Sequence, residues 1–424
     1  MSEHSLLLET PPRDWTAESF GDMCIRVQDS TSPTPNGQRL YLGLEHLASG
    51  FPALVGRGSE SEVRSGKTAF RKGDVLFGKL RPYLRKSALV SEDGICSTDI
   101  LVFRASDKSL AEFLCLLTHS DEFVGHAKAT TSGVQHPRTS WASLQAFKLH
   151  VPPLAEQRKI AEVLRLVQRA MEQQEQLIAL TTELKKALLH QFFTQGLRGE
   201  PQKQTEIGPV PESWDVVELG DVISESPKNG LYKHNTAYGS GTLILRINDF
   251  SNDGDEVFTA SHRVAIDAGE TQLYALREGD IVTNRVNSLS HLGKTALIGK
   301  LEEPMVFESN MMRFRVAKSL AIPSYVLRLL NSPVCKKQFL GTAKRAVGQA
   351  SINQGNLRAV KLPLPSVSVQ RELVTILDTV IRKIDIHERK RAALTAMFRT
   401  MLHELVTAEL RVHDLDLPRL LEDV

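Results

Sequence analysis

The sequence has few cysteines and no long apolar run, and both absences narrow the classes of protein it can encode. Its four cysteines (Cys24, Cys96, Cys115 and Cys335) lie far apart without a CxxC pair. This spacing argues against a zinc site or a disulfide framework and predicts reduced thiols in the cytoplasm. No run approaches the ~18 consecutive apolar residues of a membrane-spanning helix. The N-terminus lacks the basic start of a signal peptide.

The signatures of common catalytic sites are also missing. The two GKT triplets at 66–68 and 293–295 lack the first P-loop glycine, because Ser61 and Ser288 occupy its place. There is no GxGxxG or HExxH motif, and no NPPY- or DPPY-like tetrapeptide. We therefore predict a chain without catalytic, metal-binding or cofactor-binding residues.

What is present is an ordinary globular composition. The chain has 424 residues, and at about 150 residues per domain this length predicts two or three domains. Hydrophobic residues make up 41% and charged residues 24%, a balance that allows sizeable cores. The formal net charge of +2 favours no class of binding partner. The positions of the charges along the chain are more informative about the partner.

The sequence contains an internal duplication. PRDWTAESFGD around Trp15 matches PESWDVVELGD around Trp214, 199 residues later. Four further matches follow in the same order: LYLGLEHL (40–47) with LILRINDF (243–250), FRKGDVL (70–76) with LREGDIV (276–282), STDILVFR (97–104) with ESNMMRFR (308–315), and KLHVPPLAEQRKIAEVL (148–164) with KLPLPSVSVQRELVTIL (361–377). The offset rises from 199 to 213 and never falls, which indicates two copies of one fold with small insertions in the second.

Each copy reads as a globular part followed by a long helix. Short β-branched and aromatic runs separated by Gly, Pro, Asn and Asp predict strands, with helical pieces such as 109–127 between them. Pro152 and Pro153 precede the first long helix, and Gly196 follows it. We predict a mixed α/β (α+β) protein with these parts: a first globular domain at 1–150, a first long helix at 151–198, a second globular domain at 199–363, a second long helix at 364–410, and a C-terminal tail at 411–424.

Both long helices carry an apolar stripe with alternating spacings of four and three residues, which is typical of a coiled-coil seam. The stripe consists of Ile160, Leu164, Val167, Met171, Ile178 and Leu188 in the first helix, and of Leu373, Leu377, Val380, Ile384, Leu394, Phe398 and Met401 in the second. A helix of roughly 38 residues is about 57 Å long, which exceeds the span of a small domain. We predict that the two helices pack together. If they are antiparallel, they hold the two globular copies at opposite ends, related by a pseudo-twofold axis.

Basic residues concentrate at equivalent places in the two globular copies. Residues 64–90 contain eight Lys or Arg and one acid, and residues 123–148, 285–300 and 336–361 contain no acid. A basic run is ordinarily a solvated face, but recurrence in both copies, with Asn, Gln and His interleaved, favours binding to double-stranded DNA. The candidate DNA-binding residues are Lys79, Arg81, Arg85, Lys86, Gln135, His136, Arg138, Arg285, Asn287, His291, Lys294, Lys344, Arg345, Gln349 and Asn353.

These segments resemble the DNA-specificity subunits of type I restriction-modification systems. The likeness lies in the P-x-x-W…G-D openings, in GDVLFGKLRPYLRK and GDIVTNRVNSLSHLGKTAL, and in the helix starts VPPLAEQRKIAEVL and LPLPSVSVQRELVTIL. It extends from about Trp15 to about Leu410. The resemblance implies a non-catalytic subunit in which each globular half is a target recognition domain. Each half would read one part of an asymmetric, bipartite site, and the helices would set the spacing.

The resemblance also implies partners and cofactors outside this chain. The helices would hold two adenine-methylating subunits that bind S-adenosylmethionine. Separate restriction subunits would supply translocation and cleavage, with ATP and magnesium. By position, the segments that would approach DNA include Lys79, Arg81, Arg285, Asn287 and the loops at 133–135 and 347–349.

Two other functions remain open from the residues alone. A coiled-coil scaffold, whose basic patches only keep it in solution, would show no sequence preference for DNA. A stand-alone nuclease with dispersed acidic residues would cleave DNA in the presence of magnesium and without partners.

Overall fold

The computed structural model describes residues 6–251 and 262–415, and the chain divides into two compact units. Unit 2 comprises Leu177–His387, and unit 1 contains the described residues on either side of it. Each unit therefore holds one globular part, the first half of one long helix and the second half of the other. The units divide the chain inside both long helices, whereas the boundaries predicted from the sequence lie at the ends of those helices. Of the predicted tail at 411–424, residues 416–424 lie outside the described residues.

The described strands of unit 1 form three sheets. The strands are β1 (Thr16–Ser19), β2 (Cys24–Val27), β3 (Ser30–Thr31), β4 (Leu40–Leu42), β5 (Gly58–Ser59), β6 (Lys67–Phe70), β7 (Val75–Gly78), β8 (Ser87–Leu89), β9 (Gly94–Cys96), β10 (Ile100–Ala105) and β11 (Lys148–Val151). Their orders are β1-β11, β2-β10-β7-β8 and β3-β6-β9-β4-β5. Within these sheets only β4 and β9 pair in parallel.

The described strands of unit 2 form five sheets. The strands are β12 (Gln202–Thr205), β13 (Gly208–Pro211), β14 (Asp215–Glu218), β15 (Ile223–Asn229), β16 (Tyr238–Leu245), β17 (Arg263–Val264), β18 (Ile281–Asn284), β19 (Val286–Asn287), β20 (Thr295–Leu297), β21 (Met305–Phe307), β22 (Met311–Val316), β23 (Lys344–Ala346), β24 (Gln349–Ser351) and β25 (Lys361–Leu364). Their orders are β12-β13, β14-β25, β15-β22-β18-β20, β17-β16-β21 and β19-β24-β23.

Two helices are much longer than the others. The α-helices are α1 (Phe20–Met23), α2 (Ala111–Leu117), α3 (Asp121–Ala129), α4 (Trp141–Leu144), α5 (Leu154–Gln195), α6 (Ala268–Tyr274), α7 (Pro323–Leu330), α8 (Pro333–Thr342), α9 (Gln354–Arg358) and α10 (Val367–Val406). As predicted, α5 begins directly after Pro153 and ends before Gly196, whose φ is +67°. In the described part of the chain, no helix is long and apolar enough to cross a membrane.

The strand pattern confirms the internal duplication. The four-stranded sheets β2-β10-β7-β8 and β15-β22-β18-β20 have the same order, and the parallel pair β4–β9 recurs as β16–β21. The offsets between equivalent strands are those of the sequence matches: 199 residues from β1 to β14, 206 from β7 to β18, and 213 from β11 to β25. The two copies therefore share one scaffold.

The repeated Gly-Asp motif before β7 and β18 is part of that scaffold. The carboxylate of Asp74 accepts hydrogen bonds of 2.8 Å from the Arg71 amide and from the guanidinium of Arg104 on β10. Asp280 bonds the Arg277 amide in the same way and pairs with Arg315 on β22. Both acids are at most 1% exposed. They hold a turn against the neighbouring strand, and because their charges are paired their burial is tolerated.

In unit 1 the two long helices pack antiparallel. Residues of α5 from Ile160 to Met171 share a core cluster with residues of α10 from Phe398 to Val406. Glu175 of α5 lies 3.8 Å from Arg391 of α10, whereas Glu156, near the start of α5, bonds Arg411 beyond the end of α10. In unit 2, Phe192 and Phe193 of α5 share a core with Leu373 and Leu377 of α10.

The remaining residues of the predicted seam are less buried. Ile178, Leu188, Ile384 and Leu394 are partly exposed, whereas Val380 is 8% exposed. Apolar burial along the stripe is thus greatest toward the ends of the helices, where they also contact the globular parts. The stripe therefore serves each unit's core as well as the contact between helices.

A buried glutamine fixes the start of each long helix. The Gln157 amide nitrogen donates to the carbonyls of Lys108 and Pro152 at 2.9 and 3.0 Å, and its oxygen accepts from the Leu110 amide at 2.8 Å. Gln370 makes the three equivalent bonds in unit 2. Both side chains are fully buried. The repeated glutamine therefore anchors each helix to the loop before α2 or α7.

We expect Gln157→Ala to lower the free energy of unfolding by about 3 kcal/mol, because it leaves buried backbone groups without partners. Gln173→Ala, at an exposed position of the same helix, is the control and should change stability by less than about 0.5 kcal/mol. Urea unfolding followed by circular dichroism measures both. Equal midpoints for the two variants would contradict this role for Gln157.

Candidate nucleic-acid interface

In unit 1, the chain leaving β7 meets the loop between α3 and α4. Leu80 forms an isolated bridge with Arg138, which also bridges Ser132. The Arg81 amide donates to the Pro137 carbonyl at 2.8 Å. Residues 132–138, which we call hairpin 1, are thereby fixed against residues 79–81. This contact brings together the predicted site residues Lys79, Arg81, Gln135, His136 and Arg138.

Unit 2 builds the same arrangement with regular strands. β23 and β24 form a two-stranded ribbon, and β24 also pairs with β19, which follows β18. We call residues 344–351 hairpin 2. The pair Val286–Ser351 is the exact counterpart, by sequence offset, of Leu80–Arg138. The ribbon brings together the predicted residues Arg285, Asn287, Lys344, Arg345 and Gln349.

Asn353 lies two residues after the end of hairpin 2. Its side-chain oxygen accepts from the Asn356 amide at 2.8 Å and so caps α9. A cavity of about 340 Å³ beside it is lined by Asn229, Arg285, Asn353, Gln354 and Gly355. The Arg285 guanidinium donates to the Ser309 carbonyl at 3.1 Å. This polar cavity extends the surface at the foot of hairpin 2.

The turn that presents Arg81 has an unusual backbone. Arg81 and Arg85 both adopt the left-handed conformation, with φ of +52° and +50°, on either side of a short 3-10 helix at Pro82–Leu84. Such conformations cost a non-glycine residue about 1 kcal/mol or more. The guanidinium of Arg85 holds the turn through the His119 carbonyl and Asp121. The Arg81 side chain remains exposed.

The structure buries one predicted DNA-binding residue and gives two others partners within their own unit. The Lys294 ammonium is buried, donates to the Phe250 carbonyl at 2.8 Å and lies 4.4 Å from the Phe250 ring centre. Burial lowers the pKa of Lys294, and its ammonium is bonded inside unit 2. Lys86 donates to the Leu44 carbonyl at 2.6 Å, and Arg85 is held by the contacts given above. These side chains support the fold of their own units.

The basic run at 64–90 does not form one patch. Lys72 lies in the turn before β7, whereas Lys79 and Arg81 follow the end of that strand. Lys67 is buried and bonds Ser65. Only the charges after β7 adjoin hairpin 1. The basic residues of this run are therefore divided between the two ends of β7.

Two other predicted residues use their polar groups locally. The Arg138 guanidinium bonds both carboxylate oxygens of Asp99, at 3.0 and 3.4 Å, and this pairing raises its pKa. The His291 imidazole lies 2.9 Å from the hydroxyls of Ser288 and Ser290. Both side chains are positioned by these contacts. The exposed predicted residues are Arg81, Gln135, His136, Arg138, Lys344, Arg345, Gln349 and Asn353.

The sequence matches the family described as type I restriction modification DNA specificity domain, over residues 14–182 and 211–396. The two matched segments contain both globular copies and most of each long helix. The chain belongs to this family. Hairpins 1 and 2 therefore lie on the two repeats of a DNA specificity protein.

Relatives and solved structures agree with this assignment. The putative type I restriction enzyme MjaX specificity subunit of Methanocaldococcus jannaschii is 32% identical over 220 residues, which are 52% of this chain and about half (51%) of that relative. The MjaVIII specificity subunit of the same organism is 22% identical over 96% of this chain and 95% of its own length. The type I restriction-modification S subunit from M. genitalium shares the fold, with a TM-score of 0.57, 14% identity, and coverage of 96% and 99% of the two chains.

A structure from a study of complex assembly and conformational transition in the type I R-M system is similar as well. Its TM-score is 0.55 at 22% identity, covering 93% of this chain and 98% of that one. These likenesses establish a common fold along nearly the whole chain.

The cysteines of this specificity-family chain serve packing. All four are free and buried. Burial raises the pKa of Cys96, Cys115 and Cys335 to about 12, so these thiols stay protonated at neutral pH. Within residues 6–251 and 262–415, no three His, Cys, Asp or Glu side chains are grouped so that they could hold a metal ion.

The loops at 133–135 and 347–349 each expose one apolar residue. Val134 and Val347 are 100% and 104% exposed, and they lie beside the predicted Gln135 and Gln349. Valine has neither charge nor hydrogen-bonding capacity, so these two residues are named only as parts of the loops and not among the individual candidates. The 213-residue offset that relates the two valines was the available signal.

We expect Arg81→Gln to weaken DNA binding and to reduce the slope of log K against log salt by about 0.9, as loss of one phosphate contact does. Lys72→Gln, which removes the same charge at the other end of β7, is the matched control and should leave the slope unchanged. Fluorescence-anisotropy titrations at several salt concentrations measure both slopes. A slope for Arg81→Gln equal to that of the wild type would reject a phosphate contact there.

Proposed function

We propose that this chain is the DNA-specificity subunit of a type I restriction-modification complex, with each globular half reading one part of a bipartite, asymmetric site. The observation that carries the proposal is the recurrence of an exposed hairpin on the same scaffold in both halves. Hairpin 1 presents Gln135 and His136, and hairpin 2 presents Lys344, Arg345 and Gln349. Since the scaffold is shared and the side chains differ, the two half-sites differ in sequence.

The long helices act as the spacer between the half-sites. Support comes from the lengths of α5 and α10, 42 and 40 residues, and from their antiparallel contacts inside unit 1. A continuous helix is stiffer than a flexible linker, so the distance between half-sites is fixed.

The chain is not itself catalytic and works with other subunits in the cytoplasm. Two methylating subunits, which bind S-adenosylmethionine, dock on the helices, and restriction subunits supply ATP- and magnesium-dependent translocation and cleavage. Support comes from the relatives, which are named specificity subunits of restriction enzymes. The alternative, a scaffold without sequence preference, is not favoured because the family match covers both globular copies.

We expect that replacing residues 1–150 with the corresponding half of a relative changes only one half of the methylated sequence. The experiment co-expresses the chain with its methylating partners and maps methylated adenines by sequencing. The reciprocal exchange of residues 199–363 is the matched control and should change only the other half. A change in both halves, or in neither, after a single exchange would reject one domain per half-site.

A further inference from the structure

Each hairpin exposes one valine completely. Val134 and Val347 are 100% and 104% exposed, and they are separated by the 213 residues that relate equivalent positions here. A single exposed apolar side chain is common on protein surfaces. The two valines occupy equivalent positions of the two copies, whereas the polar residues beside them differ. Packing does not explain why a valine is exposed at both positions, because neither valine contributes to a core.

The hairpins hold these valines in fixed positions. Hairpin 1 is closed by reciprocal backbone hydrogen bonds between Ser132 and Arg138, at 2.9 and 3.0 Å. Hairpin 2 is closed by the β23–β24 pairing, from Lys344–Ser351 to Ala346–Gln349. A glycine in the left-handed conformation makes each tight tip: Gly133 with φ +90° and Gly348 with φ +73°. Each valine is thus presented on a folded element.

A glutamine accompanies each valine. Gln135 directly follows Val134, and Gln349 lies two residues after Val347. Both glutamines are exposed, whereas Ala350, the residue after Gln349, is 1% exposed. Because side chains alternate along a strand, Gln349 points away from the core. Each tip therefore combines an outward amide with an outward apolar group.

The surroundings of the tips fit nucleic acid. Arg81 adjoins hairpin 1, and Lys344 and Arg345 are exposed on hairpin 2. Neither hairpin contains an acidic residue. A two-stranded ribbon fits the major groove of DNA, where a glutamine amide matches N6 and N7 of adenine and an apolar side chain matches the thymine methyl group.

We propose that each hairpin tip reads an A·T base pair in the major groove. Gln135 and Gln349 bond the adenine edge, and Val134 and Val347 contact the thymine methyl group. This inference rests on the proposed DNA-specificity function and adds the class of base pair that each domain reads. Since the tips share this chemistry, the difference between the half-sites comes from the surrounding residues, such as His136 and Arg345.

Removal of single thymine methyl groups tests the proposal. The full chain, bound to its methylating partners, is titrated with synthetic duplexes carrying the mapped site, in which each thymine in turn is replaced by deoxyuridine. For the wild type, one replacement in each half-site should lower affinity about threefold to tenfold, as loss of one buried methyl group does. In Val134→Ser the first of these losses should vanish, and in Val347→Ser the second.

A second series of duplexes tests the glutamines in the same way. Replacing the adenine opposite each sensitive thymine by 7-deazaadenine removes the N7 acceptor and should weaken wild-type binding about tenfold. Gln135→Ala and Gln349→Ala should each bind weakly and be indifferent to the replacement in their own half-site. Retained sensitivity in either variant would overturn the assignment of its glutamine.

Matched variants separate this contact from other effects. Val55→Ser alters a 67% exposed valine elsewhere in unit 1 and should bind like the wild type. Since Val134 and Val347 have no core contacts, thermal melting should be unchanged in their variants. If Val134→Ser weakens association with the methylating subunits and leaves deoxyuridine sensitivity intact, the tip contacts protein and the inference is wrong.

The outcomes for the inference and for the proposed function are distinct. Sequence-specific binding that is insensitive to every deoxyuridine replacement would overturn the reading of A·T pairs and leave the specificity function standing. Absence of any sequence preference in the complete complex would overturn the proposed function itself.

Discussion

The antiparallel packing of one long helix against the other is the contact on which each unit depends. In unit 1, Phe398 and Leu405 of α10 belong to the same core cluster as Phe20, Phe103 and Ile160. The two residues of α10 lie more than two hundred positions after the other three in the chain. The core of unit 1 is therefore complete only when α10 packs against it. Unit 2 requires the far half of α5 in the same manner. Neither globular part has a complete core without both helices.

Duplication separates the residues that build the scaffold from those that vary on it. Asp74 and Asp280 make the same turn, and Gln157 and Gln370 make the same three bonds at the helix starts. These polar groups are buried, where an unmatched hydrogen bond is costly, so both copies keep them. The hairpins differ in sequence because their side chains project into solvent. A shared frame with different residues around the tips is what two-part recognition of DNA requires.

The surface that results combines charge, hydrogen bonding and apolar contact. The left-handed backbone at Arg81 and the glycine at each tip show that the exposed residues are held by local geometry. A rigid surface loses little conformational entropy on binding, which favours specificity. Charge alone would bind any duplex, whereas oriented amides and methyl groups distinguish base pairs. The proposed function therefore depends on the shape of the hairpins as much as on their charge.

The sequence by itself determined the duplication, the order of the elements and the long helices, because hydrophobic period, helix-ending glycines and repeated segments are local signals. It also named Arg81, Gln135, Lys344, Arg345 and Gln349, which lie on exposed hairpins or beside them. Only the tertiary structure decided which basic residues stay at the surface. Lys294 and Lys344 are both basic residues of the predicted site, yet Lys294 is buried against Phe250 and Lys344 is exposed to solvent. Burial depends on contacts made by distant segments, and a linear pattern does not contain them.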